Sequence, residues 1–449
     1  MRIKDSIIGG RPRPTAQAKL EYSFYHTTVR RGLNLLLKLA AIVVLTSAAL
    51  ELVAVASDSQ QGYWTGTWAA APALVEGNTQ YTNQTIRMIV HTSLAGSQVR
   101  VRFSNAFGSN PLKIGAAHIA LRDSGARIVV NSDRSLTFSG RSFIEVPVGA
   151  LVISDPVDLW IPPLANLTVS VYLPGTSTAE TSHIVANQTS FVAPIPGNLT
   201  GAVDLPGAGQ TFEWDFLAGV DVLTDERNAA IVVMGASETD GIGSTPDANR
   251  RWTDVLAKRL QLDARRDNVS VLNEAHTGNR VLHPAPDGIS FFGPAALARF
   301  DRDVLGQAGV KYLIVLLGLN DIAQPGVVAP PSEDVSAKDV IAGLLQLIEC
   351  AHERGIVAYG CTILPFEDSL IAPGFYTPGK EAKREQINQW IRTSGAYDAV
   401  IDFDKVVRDP AHPKRMLPAF DSGDHTHPND SGYKAMGQAI DLNLFVENP

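Results

Sequence analysis

The stretch Ile231-Val232-Val233-Met234-Gly235-Ala236-Ser237-Glu238-Thr239-Asp240-Gly241 passes from four apolar residues into a glycine-bounded polar turn. A short, uninterrupted apolar run ending at glycine reads as a strand buried on both faces. A helix-like segment follows from Ala248 to Leu262. The same grammar then repeats, with strands expected at Val269–Leu272, Tyr312–Leu317, Val357–Leu364 and Ala399–Phe403. Helical segments fall between them around 295–307, 336–354 and 380–394, and a last one runs from about Asp430 to Phe445. Doubly buried strands alternating with helices predict a parallel sheet in a layered α/β domain spanning 228–449. In such domains, reactive groups gather beyond the carboxyl ends of the strands.

Upstream of Asp225-Glu226-Arg227 the pattern is different. Between about Gly62 and Leu223, apolar and polar residues alternate in short runs such as Gln98-Val99-Arg100-Val101-Arg102-Phe103 and Leu167-Thr168-Val169-Ser170-Val171-Tyr172. Period-two alternation buries one face of a strand and wets the other. Turn residues such as Gly108-Ser109-Asn110-Pro111 and Pro174-Gly175 separate the runs. Residues 62–223 therefore read as an antiparallel β-sandwich, jelly-roll-like, ahead of the α/β domain. A chain of 449 residues exceeds what one core usually organises, so two domains are expected.

Further upstream, Arg30, Arg31 and Lys38 precede the uncharged run Leu39–Leu50, and Ala54-Val55-Ala56 offers a small-residue cleavage site. Residues 1–56 read as a signal peptide with an extended N-terminal region, which places the mature protein outside the cell or in the periplasm. The alternative is an uncleaved signal anchor that tethers it to the membrane; a cleaved chain would keep no stable membrane partner. Residues 1–56 carry eight Lys/Arg against three Asp/Glu, so their removal takes the formal charge from −8 to −13. Such an acidic chain repels phosphate backbones, which excludes nucleic acid as a partner. A small-molecule or polysaccharide ester suits it better. The two cysteines, Cys350 in a helix and Cys361 in the next strand, read as buried free thiols.

Four segments at strand ends carry chemistry. Ser237 sits on a tight glycine turn that presents its hydroxyl and its own N–H to the cleft. His276-Thr277-Gly278-Asn279-Arg280 offers a glycine N–H. Gly318-Leu319-Asn320-Asp321 offers an amide side chain. Asp424-His425-Thr426-His427-Pro428-Asn429 offers an imidazole able to take the serine proton, with a carboxylate three residues earlier to hold its tautomer. Taken singly, each has a bland reading. Gly-x-Ser and Gly-x-Asn-Asp are common turns, and Asp424 or Asp430 could simply cap the last helix. His276 and His425 read as solvent-facing or spacer residues, Arg251-Trp252 as packing for the first helix, and Phe291-Phe292 as core.

Together, and in this order, the four segments resemble the SGNH (GDSL-type) hydrolase superfamily over roughly residues 228–446. Gly235–Gly241, Gly278–Arg280, Gly318–Asp321 and Asp424–His427 are similar to its Ser, Gly, Asn and His blocks. The resemblance implies a three-layer α/β/α sandwich with a five-stranded, flavodoxin-like parallel sheet. It implies a catalytic triad of Ser237, His427 and Asp424. It also implies an oxyanion hole formed by the Ser237 N–H, the Gly278 N–H and Asn320, with no metal and no cofactor. The implied activity is hydrolysis of short acyl esters through an acyl-serine; the expected secretion and the added β domain point to acetyl groups, with carbohydrate a candidate carrier. Ala236 departs from the pattern, since the superfamily usually carries Asp there. Two other readings stand beside this one: a catalytically inactive carbohydrate-binding or adhesion protein, and a lipase for longer chains.

Overall fold

The computed structural model describes residues 62–76, 79–224 and 228–445. The expected signal segment 1–56 and the junction 225–227 lie outside the described residues.

The first half is built around two large antiparallel sheets, with two small ones beside them: Trp214–Asp215, Thr181–His183 and Ala73–Leu74 in one, Leu112–Ile114 and Ile144–Val146 in the other. In one large sheet, the strand order is Tyr63–Ala69, Leu217–Thr224, Gly96–Ser104 and Leu151–Ile153, with Val157–Ile161 also paired to Gly96–Ser104. In the other large sheet it is Gly209–Thr211, Ser190–Val192, Gln80–His91, Asn166–Thr178, Ala116–Ser124 and Arg127–Ile128, with Arg134–Leu136 paired to Ala116–Ser124. Alternation selects the side chains that enter the core, but the opposite face is not wet as expected: Arg87, Arg102, Thr168 and Ser170 are buried too, because loops and the second half of the chain cover them. Val99, Val101 and Phe103 of one sheet share a core with Ile86, Met88, Val90, Val169 and Val171 of the other. The first and last long strands of the sandwich are neighbours, paired from Tyr63↔Thr224 to Ala69↔Gly219 with one register shift between Gly66 and Trp68.

The second half holds a five-stranded parallel sheet ordered Val269–Asn273, Ala229–Gly235, Val310–Leu316, Val357–Cys361 and Ala399–Ile401. Numbered along the chain, that order is 2-1-3-4-5. The crevice at its switch point lies beyond the carboxyl ends of the strands flanking Ala229–Gly235. Side chains leave this sheet on both faces. Val232, Met234, Leu313 and Val315 pack with Leu344, Leu347 and Ile387. Ile231, Val233, Tyr312 and Ile314 pack with Trp252, Leu256 and Met436. Helices Ala296–Phe300, Ala337–His352 and Pro378–Thr393 therefore cover one face, and Trp252–Gln261 and Asp430–Ala439 the other. This is the three-layer α/β/α arrangement.

Several boundaries differ from the sequence reading, each for a local reason. The fourth strand stops at Cys361 because Thr362 turns to bond Asp402 (Oγ1 to Oδ1, 2.9 Å) and the Ile363 N–H turns to Asn388 (2.7 Å). The segment read as one helix over 295–307 is an α-turn to Phe300 and then a π-helical turn, Asp301–Leu305. The last helix ends at Ala439, where Ile440 is extended, and a 3₁₀ turn Leu442–Phe445 follows. Cys361 is buried and Cys350 only partly so; both are free thiols. Among the described residues no helix is long and apolar enough to cross a membrane.

The two halves pack together within the unit Gly62–Pro449. Strand Tyr63–Ala69 runs beside Val269–Asn273, the edge of the parallel sheet. The Gly66 N–H donates to the Ala308 carbonyl (2.9 Å) and the Val271 N–H to Ser93 Oγ (3.1 Å). Gly66 has no room for a side chain, since a β-carbon there would fall 2.7 Å from Leu272 Cδ1. The sandwich thus covers a sheet edge that would otherwise offer unpaired backbone groups.

Candidate active site

Strand Ala229–Gly235 delivers Ser237 to the first position of a one-turn helix, Ser237–Asp240. Gly235 is required sterically, because a β-carbon would lie 2.2 Å from Thr239 Oγ1. The Ala236 carbonyl closes the turn by accepting the N–H groups of Thr239 and Asp240, both at 2.9 Å. His427 Nε2 lies 2.8 Å from Ser237 Oγ, although the two are 190 residues apart in sequence. His427 Nδ1 lies 2.5 Å from Asp424 Oδ2, and Asp424 Oδ1 accepts the N–H groups of Thr426 (2.9 Å) and His427 (2.8 Å). Burial alone would raise the Asp424 carboxyl. The hydrogen bond and charge of His427, with the two backbone donors, outweigh it and hold the group well below the usual carboxylate range.

The turn bearing Gly278 is clamped from several sides. Its φ of +77° belongs to the left-handed region, where glycine alone is unstrained. Asp240 accepts the Thr277 N–H (2.8 Å) and hydroxyl (2.7 Å). Gln324 Nε2 donates to the Gly278 carbonyl (2.7 Å), and Asn320 Nδ2 to the Asn279 carbonyl (3.1 Å). Asp321 accepts the N–H groups of Val281 and Leu282 (2.9 and 3.0 Å). Burial pushes the Asp321 carboxyl up to about 6 despite those donors. Among the described residues, neither the Ser237 N–H nor the Gly278 N–H has a protein acceptor, and one N–H of the Asn320 amide is also left over. The structure therefore brings Ser237, His427 and Asp424 into one chain of contacts, and it ties Asn320 to the turn that carries Gly278. Such a set can activate a hydroxyl and offer N–H groups to an oxygen that becomes negative.

Residues 233–435 match the model of the GDSL-like Lipase/Acylhydrolase family. This part of the chain belongs to that family. The protein is accordingly an ester hydrolase. Similar solved structures include a lipolytic protein of the G-D-S-L family from Desulfitobacterium hafniense DCB-2, at 21% identity and TM-score 0.34, covering 47% of this chain and 97% of that one. Another is a carbohydrate acetylesterase from Sinorhizobium meliloti, at 14% identity and TM-score 0.36, covering 47% and 96%. A third is an aryl esterase from M. smegmatis, at 16% identity and TM-score 0.36, covering 47% and 95%. No curated protein matches the chain.

In this GDSL-like domain, Ala236 is buried among apolar neighbours, and the serine turn is held by its backbone carbonyl and that of Ser237, which accepts the N–H groups of Gly241 and Ile242. The helix after His427 is capped by Asn429, whose side chain accepts the N–H groups of Ser431 (2.9 Å) and Gly432 (3.1 Å). Asp424 and Asp430 are free for other partners, and Asp430 holds Thr245 and Arg250. His425 adopts a left-handed backbone (φ +61°) and turns its ring to Asp421, 2.5 Å away, with the side chain nearly half exposed. Trp252 is core, edge-on to Phe403, while the Arg251 guanidinium reaches the carbonyls of Asp240 and Ala186.

Two residue readings are overturned. His276 does not face solvent. It is fully buried, because segment 290–293 folds over it, and a β-carbon on Gly293 would fall 2.8 Å from its ring. Burial, followed by the charges of Arg299, His183 and Arg302, drives its pKa well down, so it is neutral. Phe291 and Phe292 are not core. They form a half-exposed 3₁₀ turn against Ala73–Leu74 of the sandwich, with the Phe292 ring over Gly278.

Glu238, Asp240, Gln324 and His183 are site residues that sequence reasoning gave no role. Glu238 is buried, and its carboxylate oxygen lies 3.4 Å from Ser237 Oγ. Burial raises its pKa. The local signal was charge inside an otherwise apolar strand–turn–helix, at Glu238 and Asp240. His183 had no local signal at all.

Proposed function

We propose that this protein is a serine esterase that removes short acyl groups, acetyl first, by way of an acyl-Ser237 intermediate. The observation that carries the reading is the unbroken line from Asp424 through His427 to Ser237 Oγ, at 2.5 and 2.8 Å. Ser237 Oγ attacks the ester carbonyl carbon while His427 Nε2 takes its proton. The carbonyl oxygen becomes an oxyanion facing the N–H groups of Ser237 and Gly278 and the Asn320 amide, each contributing about 3 kcal/mol to the transition state. The bond to the alcohol oxygen breaks, and the imidazolium returns the proton to the departing alcohol. Water then repeats the attack, His427 taking its proton, and the carboxylic acid leaves with Ser237 restored.

The half-buried Phe292 ring over Gly278 supports a short acyl group, because it crowds the space beside the developing oxyanion. An acetylated sugar or polysaccharide is the substrate class this reading favours, acted on outside the cell or in the periplasm after removal of residues 1–56. An uncleaved leader would tether the same enzyme to the membrane.

A fluorophosphonate probe tests the mechanism. It should label the wild type at Ser237 and leave Ser237→Ala unlabelled, and the variant should lose p-nitrophenyl acetate hydrolysis while keeping its circular dichroism. Turnover retained by Ser237→Ala would remove the serine from its role. Equal turnover of acetyl and dodecanoyl esters would replace the short-acyl reading with that of a lipase.

A further inference from the structure

Among the side chains that cross between the sandwich and the α/β half, one leads toward the Gly278 turn. Strand Thr181–His183 ends at His183, whose Nδ1 lies 3.0 Å from the Ala71 carbonyl oxygen and whose Nε2 lies 2.9 Å from Asp240 Oδ1. Both partners are acceptors, so each ring nitrogen brings a proton and the ring sits there as imidazolium. Burial opposes that state, but the charge and hydrogen bond of Asp240 outweigh it, and the pKa is raised. The other oxygen of Asp240 holds the N–H and hydroxyl of Thr277, the residue before Gly278. The remaining groups facing His183 are the Arg251 guanidinium, the neutral His276 ring stacked at 6.0 Å, and Trp214 at 5.4 Å.

A buried ion pair is a poor way to hold two domains together, because desolvation offsets most of its attraction. What this pair does supply is direction. It fixes one carboxylate oxygen of Asp240, and so aims the other at the N–H of the turn that carries Gly278. We infer that His183 is a positioning residue for the esterase, and that the sandwich, through the chain His183–Asp240–Thr277, sets where the Gly278 N–H points. The inference rests on the proposed acyl-transfer reading. Oxyanion donors must be held within about 0.5 Å of their productive place, and a misplacement of 1 Å costs on the order of a hundredfold in rate. A neighbouring domain that braces one donor therefore acts on turnover without touching substrate.

Steady-state hydrolysis of p-nitrophenyl acetate by the full chain tests this, alongside thermal melts and fluorophosphonate labelling. His183→Ala should lower kcat at least tenfold with KM within about twofold. His183→Gln keeps a neutral N–H donor toward Asp240. It should retain kcat within about threefold, a rescue that the alanine variant cannot give. Should His183→Ala fail to fold, the isosteric Asp240→Asn replaces it, with the same tenfold loss expected. A His183→Ala or Asp240→Asn enzyme within twofold of the wild-type kcat overturns the inference, as does a Gln variant no more active than His183→Ala. A wild type that neither turns over ester nor takes the probe strikes the esterase reading itself, which separates the two failures.

Discussion

The ring of Phe292 lies against Gly278 so closely that a β-carbon built on the glycine falls 2.3 Å from the ring carbons Cγ and Cδ2. Gly278→Ala must therefore push the ring aside and also hold a left-handed backbone, at a cost of about 1–3 kcal/mol. The turn would shift, and the Gly278 N–H with it. A kcat at least tenfold lower and a lower melting temperature are expected, measured by ester hydrolysis and thermal unfolding. A variant that matches the wild type in both would mean the turn has slack that the geometry denies.

Asn320 has one amide N–H on the Asn279 carbonyl and another to spare. Asn320→Ala should reduce kcat by roughly a hundredfold or more, the usual loss for one oxyanion donor. KM should move little, because the interaction belongs to the transition state. If turnover does not change, the third donor lies elsewhere.

Asp424 receives two backbone N–H groups and the His427 ring, and its carboxyl is held low. It therefore stays ionised throughout the neutral range, and any acid limb above about pH 4 belongs to another group. Asp424→Asn removes the charge that stabilises the imidazolium and permits the wrong tautomer. The expected fall in kcat is about 10³–10⁴-fold with the fold intact. A loss below tenfold would show that the carboxylate is only a brace for the loop.

Asp321 supplies a stability test with a definite sign. Its carboxyl is raised from 3.8 to about 6, so protonation is favoured by folding. That contribution is fully present below the unfolded value and is lost as pH rises through the folded one. Asp321→Asn has no such loss. The melting temperature of the variant minus that of the wild type should therefore grow more positive between pH 4 and pH 8. A difference that stays flat over this window would contradict the burial argument.

The parallel sheet was legible because Ile231–Met234 and its counterparts are apolar without interruption, and only strands covered on both sides tolerate that. The sandwich was legible for the complementary reason, as Val99, Val101 and Phe103 alternate with Arg100 and Arg102. Residues 237, 278, 320, 424 and 427 were legible through glycine turns and strand ends. What escaped was set by contacts across the chain. His276 looks like any polar loop residue until segment 290–293 closes over it, and Phe292 looks like core until the glycine beneath it is seen. The helix expected over 295–307 loosens after Phe300, where Arg299 and Arg302 both bond the buried Asp303 carboxylate (2.5–3.0 Å), an arrangement that no periodicity reports. His183 stands in a β stretch with nothing nearby to mark it, since its partner Asp240 lies 57 residues away.

The pairing of Tyr63 with Thr224 has a consequence for how the chain assembles. A loop of 161 residues must close before that ladder can form, and such distant strand pairing is slow to find. During synthesis from the N-terminus, the sandwich stays unfinished until its last long strand has emerged, and strand Ala229–Gly235 follows almost at once. The wall that shields Val269–Asn273 is thus completed just before the edge it must shield appears. A polypeptide that loses strand Tyr63–Ala69 would leave that edge bare and adhesive, so proteolytic removal of the sandwich should be answered by aggregation of the α/β half.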